Sequence, residues 1–234
     1  MSNIFQNFPE RVYRIFIEEE GYKLMLEGLQ HTILIALCSL VIGIVMGTLL
    51  SVVKVTPRTN PIVRVLHFLA DVYITVIRGT PVVVQLLLIY FAILSPLGWD
   101  ALVVAILVFG INSSAYVAEI IRGGILAVDK GQMEAGRSLG LSYGTTMLRI
   151  VLPQAIKNIL PALGNEFIVL IKETSVASFI TVTDLTRAAQ SLNGKYYDVF
   201  VTYLVLAVVY LVLVMIATFF VNLMERRLRR SDNR

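Results

Sequence analysis

Residues 33–53 read ILIALCSLVIGIVMGTLLSVV and contain no Asp, Glu, Lys or Arg. Three further runs, at residues 79–99, 101–118 and 199–224, are also free of charged side chains. A helix needs about 20 apolar residues to cross the hydrocarbon core of a bilayer, and only helices or closed barrels satisfy their backbone hydrogen bonds there. Because the apolar residues are continuous rather than alternating, they favour helices over barrel strands. The sequence therefore predicts an all-α integral membrane protein.

The composition agrees with this prediction and limits other classes of function. The chain of 234 residues is 57% hydrophobic and 15% charged, with a mean hydropathy of +0.78, whereas soluble domains are about 25% charged. Cys38 is the only cysteine, and His31 and His67 are isolated, so neither a disulfide framework nor a metal site is expected. The net charge of +4 follows membrane topology, and we expect no nucleic acid partner.

The positions of Lys and Arg predict the orientation of the chain. The last apolar run is followed by ERRLRR at residues 225–230, which we expect on the cytoplasmic side. Counting back one crossing at a time places residues 194–195 outside, the polar loop 122–149 inside and residues 99–100 outside.

Residues 60–97 are long enough for one crossing or for two. Two crossings would place the basic loop 54–58 outside and the N-terminus inside. One crossing keeps that loop inside and makes residues 61–78, whose ionisable side chains would be costly in lipid, an interfacial helix that leads through residues 79–81 into the second span. We favour one crossing, which predicts about five transmembrane helices, an external N-terminus and a cytoplasmic C-terminus.

This topology divides the chain into three segments. They are an external or interfacial segment (1–28), a transmembrane domain (29–224) and a basic cytoplasmic tail (225–234). Within the first segment, apolar residues at helical spacing suggest a helix on the outer membrane surface, although a frayed tail would give the same pattern; these residues are Phe8, Val12 and Phe16.

The loop 122–149 contains DKGQMEAGRSLG at residues 129–140. Asp129 is a suitable N-cap and Gly140 a suitable C-terminal stop, so we expect a short helix of two to three turns on the cytoplasmic face. Such a helix has no core of its own to pack against. It could be a docking element for another protein, or it could be part of a solvated connecting loop.

The spacing within and after this loop resembles a known family. Glu134-Ala135-Gly136, then Gly140, then Ile-Val-Leu-Pro at residues 150–153, is similar to the EAA signature of ABC importer permeases. Gly136 stands where the signature has a second Ala, a change that costs a helix interior about 1 kcal/mol. Four other stretches resemble the polar amino acid uptake branch of that family, the histidine, glutamine and arginine type: RGTP with Gln85 (78–85), YVAEIIRGGI (116–125), LPQA (152–155) and KETS (172–175).

The resemblance implies a type I ABC importer permease in the bacterial inner membrane. In that family the EAA helix acts as a cytoplasmic coupling helix to an ATPase subunit, and an external binding protein delivers the substrate. The chain has no GxxxxGK[ST] phosphate loop, so we expect ATP and Mg²⁺ to bind to the partner ATPase. We expect this chain to hold no cofactor and not to be an enzyme. The resemblance assigns the ATPase contact to Glu134, Ala135, Gly136 and Gly140.

Polar residues in the fourth span are the first candidates for the substrate path. Pro153 and Pro161 predict an interruption of this span, and interrupted helices often mark transport sites. At a rise of 1.5 Å per residue, Asn165 lies about 18 Å above Pro153, near the bilayer midplane. Asn165 and Glu166 could therefore contact substrate or form a structural hydrogen bond between helices, and Lys172 could be an interfacial anchor or a gate.

A second set of polar residues lies in the third span. Asn112, Tyr116 and Glu119 recur at helical spacing and are expected to share one face. The small residues Ser113 and Ser114 fit helix packing as well as pore lining, and Gln85 in the second span is open to the same two interpretations. Acidic and amide groups such as Glu166 and Asn165 suit a polar or cationic amino acid.

Five helices are too few to enclose a pathway, so we expect a second copy of the chain or a related permease. Gly43 and Gly47 form a Gly-x-x-x-Gly pair that fits dimerisation or packing within one chain. Three other classes are conceivable: a secondary transporter driven by an ion gradient, a membrane enzyme and a channel. No internal repeat, catalytic constellation or selectivity-filter repeat supports them.

Overall fold

The computed structural model describes residues 7–230, and within that range every element of regular structure is helical. The all-α fold class is therefore confirmed. The α-helices are α1 (Phe8–Tyr13), α2 (Gly21–Val55), α3 (Pro61–Gly79), α4 (Val82–Leu87), α5 (Ala101–Leu126), α6 (Lys130–Ser138), α7 (Tyr143–Thr146), α8 (Leu152–Glu173), α9 (Leu185–Tyr196) and α10 (Val199–Arg230). Wider π-type turns occupy Arg14–Glu18, Leu88–Leu94 and Met147–Val151, and 3₁₀ turns occupy Ser95–Leu97 and Thr174–Ile180.

The helices form two compact units. The first contains the described part of residues 1–39 with residues 81–109 and 169–216, and the second contains residues 40–80, 110–168 and the described part of 217–234.

In the first unit, α9 packs its apolar side into a core that includes Ile15 and Phe16 of the N-terminal segment. Asp184 caps α9 by accepting hydrogen bonds of 3.0 Å from the backbone N–H groups of Thr186 and Arg187, and burial raises the pKa of this carboxyl. Phe8 and Val12 pack at the edge of the same core. A frayed tail is therefore wrong for residues 7–18, while residues 1–6 lie outside the described range.

In the second unit, α2 packs closely against α5. A Cβ added to Gly43 would lie 2.9 Å from Oγ of Ser113, and one added to Gly47 would lie 2.7 Å from Cγ1 of Val117. The glycines therefore bring two helices of one chain together. Of the two interpretations of the Gly-x-x-x-Gly pair, packing within the chain is the one that the structure supports.

Three helices among the described residues are long and apolar enough to cross a membrane: Gly21–Val55, Ala101–Leu126 and Val199–Leu228. The pair Pro61–Gly79 and Val82–Leu97 meets the same criteria when it is counted as one bent span. The bend follows from Thr80 and Pro81, which are both extended (ψ 141° and 135°). The remaining predicted crossing, the fourth, is a helix of 22 residues, Leu152–Glu173, which is not among the candidate spans.

The predicted interruption of the fourth span is wrong. Helix α8 continues from Leu152 to Glu173 with Pro161 in its interior. A proline removes one backbone hydrogen bond, but it does not end a helix when neighbouring helices hold the chain on both sides of it. Before Pro161, the buried Ala155 and Ile159 pack against residues of α5. After Pro161, Glu166 accepts a hydrogen bond from Ser113 of the same helix.

Candidate functional site

Helix α6 lies between α5 and α8 in the chain and has the predicted boundaries. The Asp129 side chain accepts a hydrogen bond of 2.6 Å from the backbone N–H of Gly131. At the other end, Gly140 has a φ of +82°, a conformation that glycine adopts without steric cost. The N-cap and the glycine stop were both predicted from the sequence, and both are confirmed.

Gly136, one of the four residues predicted to contact an ATPase, faces the interior, and its predicted contact stays a prediction. It is buried, and a Cβ at this position would lie 2.5 Å from Cγ2 of Thr146 and 3.2 Å from Cδ1 of Ile150. Gly136 therefore lets α6 approach the turn that follows it within the same chain. The substitution of Ala by Gly at this point of the signature has a steric reason that the sequence did not show.

The outer surface of α6 combines charged, small and apolar groups. Glu134, Ala135 and Gly140 are exposed, and Leu139, just beyond the helix, is 82% exposed. Monomeric proteins do expose single leucines, but this one lies next to the residues that are predicted to contact an ATPase. Leu139 was not among the residues predicted from the sequence, because the predicted contacts at this end of the helix were charged or small side chains.

Helix α6 is also attached to the start of α8. The side-chain amide of Gln154 donates a hydrogen bond of 3.2 Å to Oε1 of Gln132, and a second of 2.9 Å to the backbone oxygen of Ile150. On the far side of the helix, Arg137 donates to the backbone oxygen of Leu141 at 3.1 Å. Helix α6 is thus held at several points by its own chain.

The structure separates Asn165 and Glu166, which the sequence analysis treated together. Glu166 is 8% exposed, and its Oε1 accepts a hydrogen bond of 2.7 Å from the Ser113 hydroxyl on α5. Asn165 is exposed and lines a pocket of about 570 Å³, whose other walls are Lys157, Asn158, Pro161, Ala162, Glu225 and Leu228. Neighbouring residues of a helix point about 100° apart, so one packs inside the unit and the other faces out.

The three spaced polar residues of α5 have different surroundings. Asn112 is buried, and Tyr116 lies beneath the guanidinium of Arg78 at 5.2 Å from the ring centre to Cζ. Glu119 forms an ion pair of 2.7 Å with Arg122. Each of these three side chains is therefore buried or in contact with another side chain of the same unit. Their roles in a substrate path stay a prediction.

The two serines of α5 also contact other parts of the second unit. Ser114 is within 2.7 Å of the hydroxyl of Tyr73, which in turn donates to the backbone oxygen of Ile111 at 2.9 Å. With the hydrogen bond from Ser113 to Glu166, both hydroxyls join neighbouring helices. These contacts favour the packing interpretation over pore lining for the two serines.

The other two predicted path residues lie in the first unit. Gln85 is buried on α4, and Lys172 is exposed near the end of α8. The roles of both residues in a substrate path stay a prediction.

A cluster of charges at the end of α2 was not predicted as a unit. Lys54 pairs with Asp71 on α3, and Arg58 lies 3.8 Å from the same carboxylate. Arg58 also donates to Nδ1 of His67 at 3.2 Å, while Nε2 of His67 lies 2.9 Å from the backbone oxygen of Thr56. The sequence showed that α3 was too polar for lipid, but the pairing depends on how α3 folds back on α2.

Residues 39–230 match the family described as the binding-protein-dependent transport system inner membrane component. The chain belongs to this family. The permease is 40% identical over 210 residues to the arginine transport system permease protein ArtQ of Bacillus subtilis (strain 168), covering 89% of this chain and 94% of that one. It is 39% identical over 206 residues to the putative glutamine transport system permease protein GlnP of Rickettsia bellii (strain RML369-C), with 87% and 92% covered.

Solved structures give the same answer for the fold. The permease superposes on a chain from an amino acid ABC transporter crystallised with histidines, with a TM-score of 0.83, 43% identity and 91% and 98% of the two chains covered. It also superposes on a chain of the MetNI methionine ABC transporter in an inward-facing conformation, with a TM-score of 0.77 and 19% identity over 88% and 97% of the chains. The type I importer fold and the assignment as an amino acid ABC permease with transmembrane helices are therefore confirmed.

Proposed function

We propose that this permease is the transmembrane subunit of an ATP-driven importer that carries a polar amino acid across the bacterial inner membrane. The observation that carries the proposal is the capped helix α6, placed between two long helices and presenting Glu134, Ala135 and Leu139 outward. Relatives named for arginine and glutamine transport support an amino acid as substrate, and basic and amide amino acids are the first to test.

We propose that α6 docks on a separate ATPase that binds ATP and Mg²⁺, and that this chain holds no cofactor and hydrolyses no ATP. Because the chain has no phosphate loop of its own, the energy for uptake must come from a partner. The exposed face of α6 is a surface that such a partner could contact. We also propose that an external binding protein delivers the substrate, because the family is one of binding-protein-dependent transport components. A second permease copy or paralogue would complete the pathway, because one chain has too few spans to enclose it. The proposed topology has a cytoplasmic C-terminus, with helix α10 continuing to Arg230, and an external N-terminus.

Reconstitution tests the proposal. The permease, purified with its ATPase partner and placed in proteoliposomes, should take up radiolabelled arginine or glutamine only when ATP is inside and the binding protein is outside. A proton or sodium gradient without ATP should give no uptake. Uptake that follows the gradient and ignores ATP would instead assign the chain to ion-driven transporters.

A further inference from the structure

The last turns of α10 carry an apolar groove with an arginine at one end. The groove has a volume of about 360 Å³ and is lined by Phe220, Leu223, Met224, Arg227 and Leu228. Spacings of three, four, seven and eight residues place these side chains on one face of the helix. Phe220 is 62% exposed and Leu223 is 38% exposed, so much of this face is left uncovered by the part of the chain that the structure describes.

The groove lies where a membrane span ends. Helix α10 is long and apolar enough to cross a bilayer from Val199 to Leu228, and the charge-free run 199–224 is followed at once by ERRLRR at residues 225–230. The apolar end of the groove therefore lies at the level of the hydrocarbon. Arg227 lies at the level of the headgroups, which long basic side chains near the end of a span readily reach.

The positive charge at this end of α10 has no acidic partner in the groove. Glu225 is the one acidic residue of the segment 225–230, but it lies about 200° around the helix from Arg227 and lines the separate pocket beside Lys157. Among the side chains that the structure describes, neither Arg226 nor Arg227 forms an ion pair. The groove thus combines an apolar floor with an uncompensated guanidinium.

An anionic phospholipid has the same two parts in the same order. Its phosphate oxygens accept paired hydrogen bonds from a guanidinium, its acyl chains pack on apolar side chains, and basic clusters next to membrane spans attract anionic headgroups. A free phosphate ion would leave the apolar part of the groove empty. A second copy of the chain packed here about a two-fold axis would bring the same arginines together, and like charges repel.

We propose that this groove is a binding site for an anionic phospholipid, with the phosphate at Arg227 and one acyl chain along Phe220 and Leu223. The bound lipid anchors the end of α10 at the membrane surface. Binding at this site is independent of the proposed transport function, because it needs only that α10 spans a bilayer.

Lipid binding is measured by native mass spectrometry on the full-length permease, purified in detergent with the subunits that accompany it. The probes are dioleoyl phosphatidylglycerol and dioleoyl phosphatidylcholine, which share their acyl chains and differ in headgroup charge. We expect phosphatidylglycerol to bind more tightly. Arg227→Gln should weaken its binding about fivefold, the usual effect of one basic residue at an anionic surface, and should leave phosphatidylcholine binding unchanged. Arg227→Lys should keep most of the preference, because it retains the positive charge.

Arg149→Gln is the matched control, because Arg149 is an exposed arginine of the same unit that lies outside α10. It should not change the affinity for either lipid, and millimolar inorganic phosphate should not displace the bound lipid. Both arginines are exposed, so both variants should keep the unfolding midpoint of the parent.

Three results would each overturn the proposal: equal binding of the two lipids by the parent, equal losses at positions 149 and 227, and displacement of the lipid by phosphate. So would an Arg227→Gln permease that loses an accompanying subunit but keeps its affinity for phosphatidylglycerol, because the arginine would then serve a protein contact.

Discussion

The Ser113 hydroxyl on α5 donates a 2.7 Å hydrogen bond to Oε1 of Glu166 on α8, and both side chains are buried. The two residues stand 53 positions apart in the chain, on the helices that precede and follow the coupling helix. Because Gly43 of α2 lies against the same serine, the hydrogen bond sits where three helices meet. It joins α5 to α8, the two long helices that precede and follow α6 in the chain.

We expect Ser113→Ala to lower the stability of the permease by about 1–3 kcal/mol, because it leaves a buried carboxyl group without this donor. Glu166→Gln retains an acceptor oxygen and should cost less. The measurement is the midpoint of thermal unfolding in detergent. Ser51→Ala is the control, because the buried Ser51 hydroxyl bonds only to Thr48 of its own helix among the contacts described; equal losses at positions 51 and 113 would contradict the prediction.

Gly47→Ala should destabilise the permease by about 1–3 kcal/mol, the usual cost of overpacking. The new Cβ would meet Cγ1 of Val117 at 2.7 Å and the backbone oxygen of Ser114 at 2.8 Å. Gly123→Ala, on the partner helix, is the matched control, since no atom lies within 4 Å of its Cβ and alanine favours the helix. The midpoint of thermal unfolding should fall for Gly47→Ala, and it should stay the same or rise for Gly123→Ala.

Gly136→Ala restores the common residue of the EAA signature, yet we expect it to destabilise this permease. The added Cβ would lie 2.5 Å from Cγ2 of Thr146. Thr146→Ser removes that methyl group and keeps the hydroxyl, which donates to the backbone oxygen of Ser142 at 3.0 Å. The double variant should therefore recover most of the loss, and a purely additive result in the thermal unfolding assay would refute the steric explanation.

Leu139 should matter for coupling and not for folding. Because it is 82% exposed, Leu139→Ser should change the unfolding midpoint little, but it should reduce ATPase stimulation and uptake several-fold if the proposed docking holds. Leu97→Ser is the control, since Leu97 is 69% exposed but lies in a turn far from α6 in sequence. Gly140→Trp is a poorer probe, because a φ of +82° would strain any side chain there.

The N-terminal segment should respond to acid through Asp198. Nε of Arg11 donates to Oδ2 of Asp198 at 2.6 Å, and this hydrogen bond lowers the pKa of the carboxyl. Stability from the pair is thus complete above the ordinary pKa of an aspartate, near 3.9, and is lost as the pH falls through the lowered value in the folded state.

We expect the unfolding midpoint of the parent to drop below about pH 4, as the pH falls from the ordinary pKa of an aspartate through the lowered pKa of Asp198. In Asp198→Asn, the overall stability should be lower and the drop smaller. Arg11→Gln should give the same change, because it removes the other partner. A parent and an Asp198→Asn variant with parallel pH profiles would show that other carboxyl groups control the acid response.

The positions of the helices follow from the sequence because they depend on local properties. Charge-free runs, the cap at Asp129 and the glycine stop at Gly140 each act within one or two helical turns, so the order of the helices and the short helix α6 were predictable. The motif spacing from Glu134 to Pro153 identified the family for the same reason, since it is a property of one continuous segment.

The direction in which each side chain faces was decided by tertiary structure. Whether Gly136 meets Thr146 or a partner, whether Glu166 joins Asn165 or Ser113, and whether Gly47 packs on Val117 or on a second copy all depend on residues distant in the chain. The continuity of α8 through Pro161 has the same origin. The sequence by itself determined a helical amino acid permease with a short capped helix between two long ones, because local composition and spacing suffice for that. Only the packing of helices could separate the residues that hold the fold together from those that face outward, because burial is a property of neighbours in space.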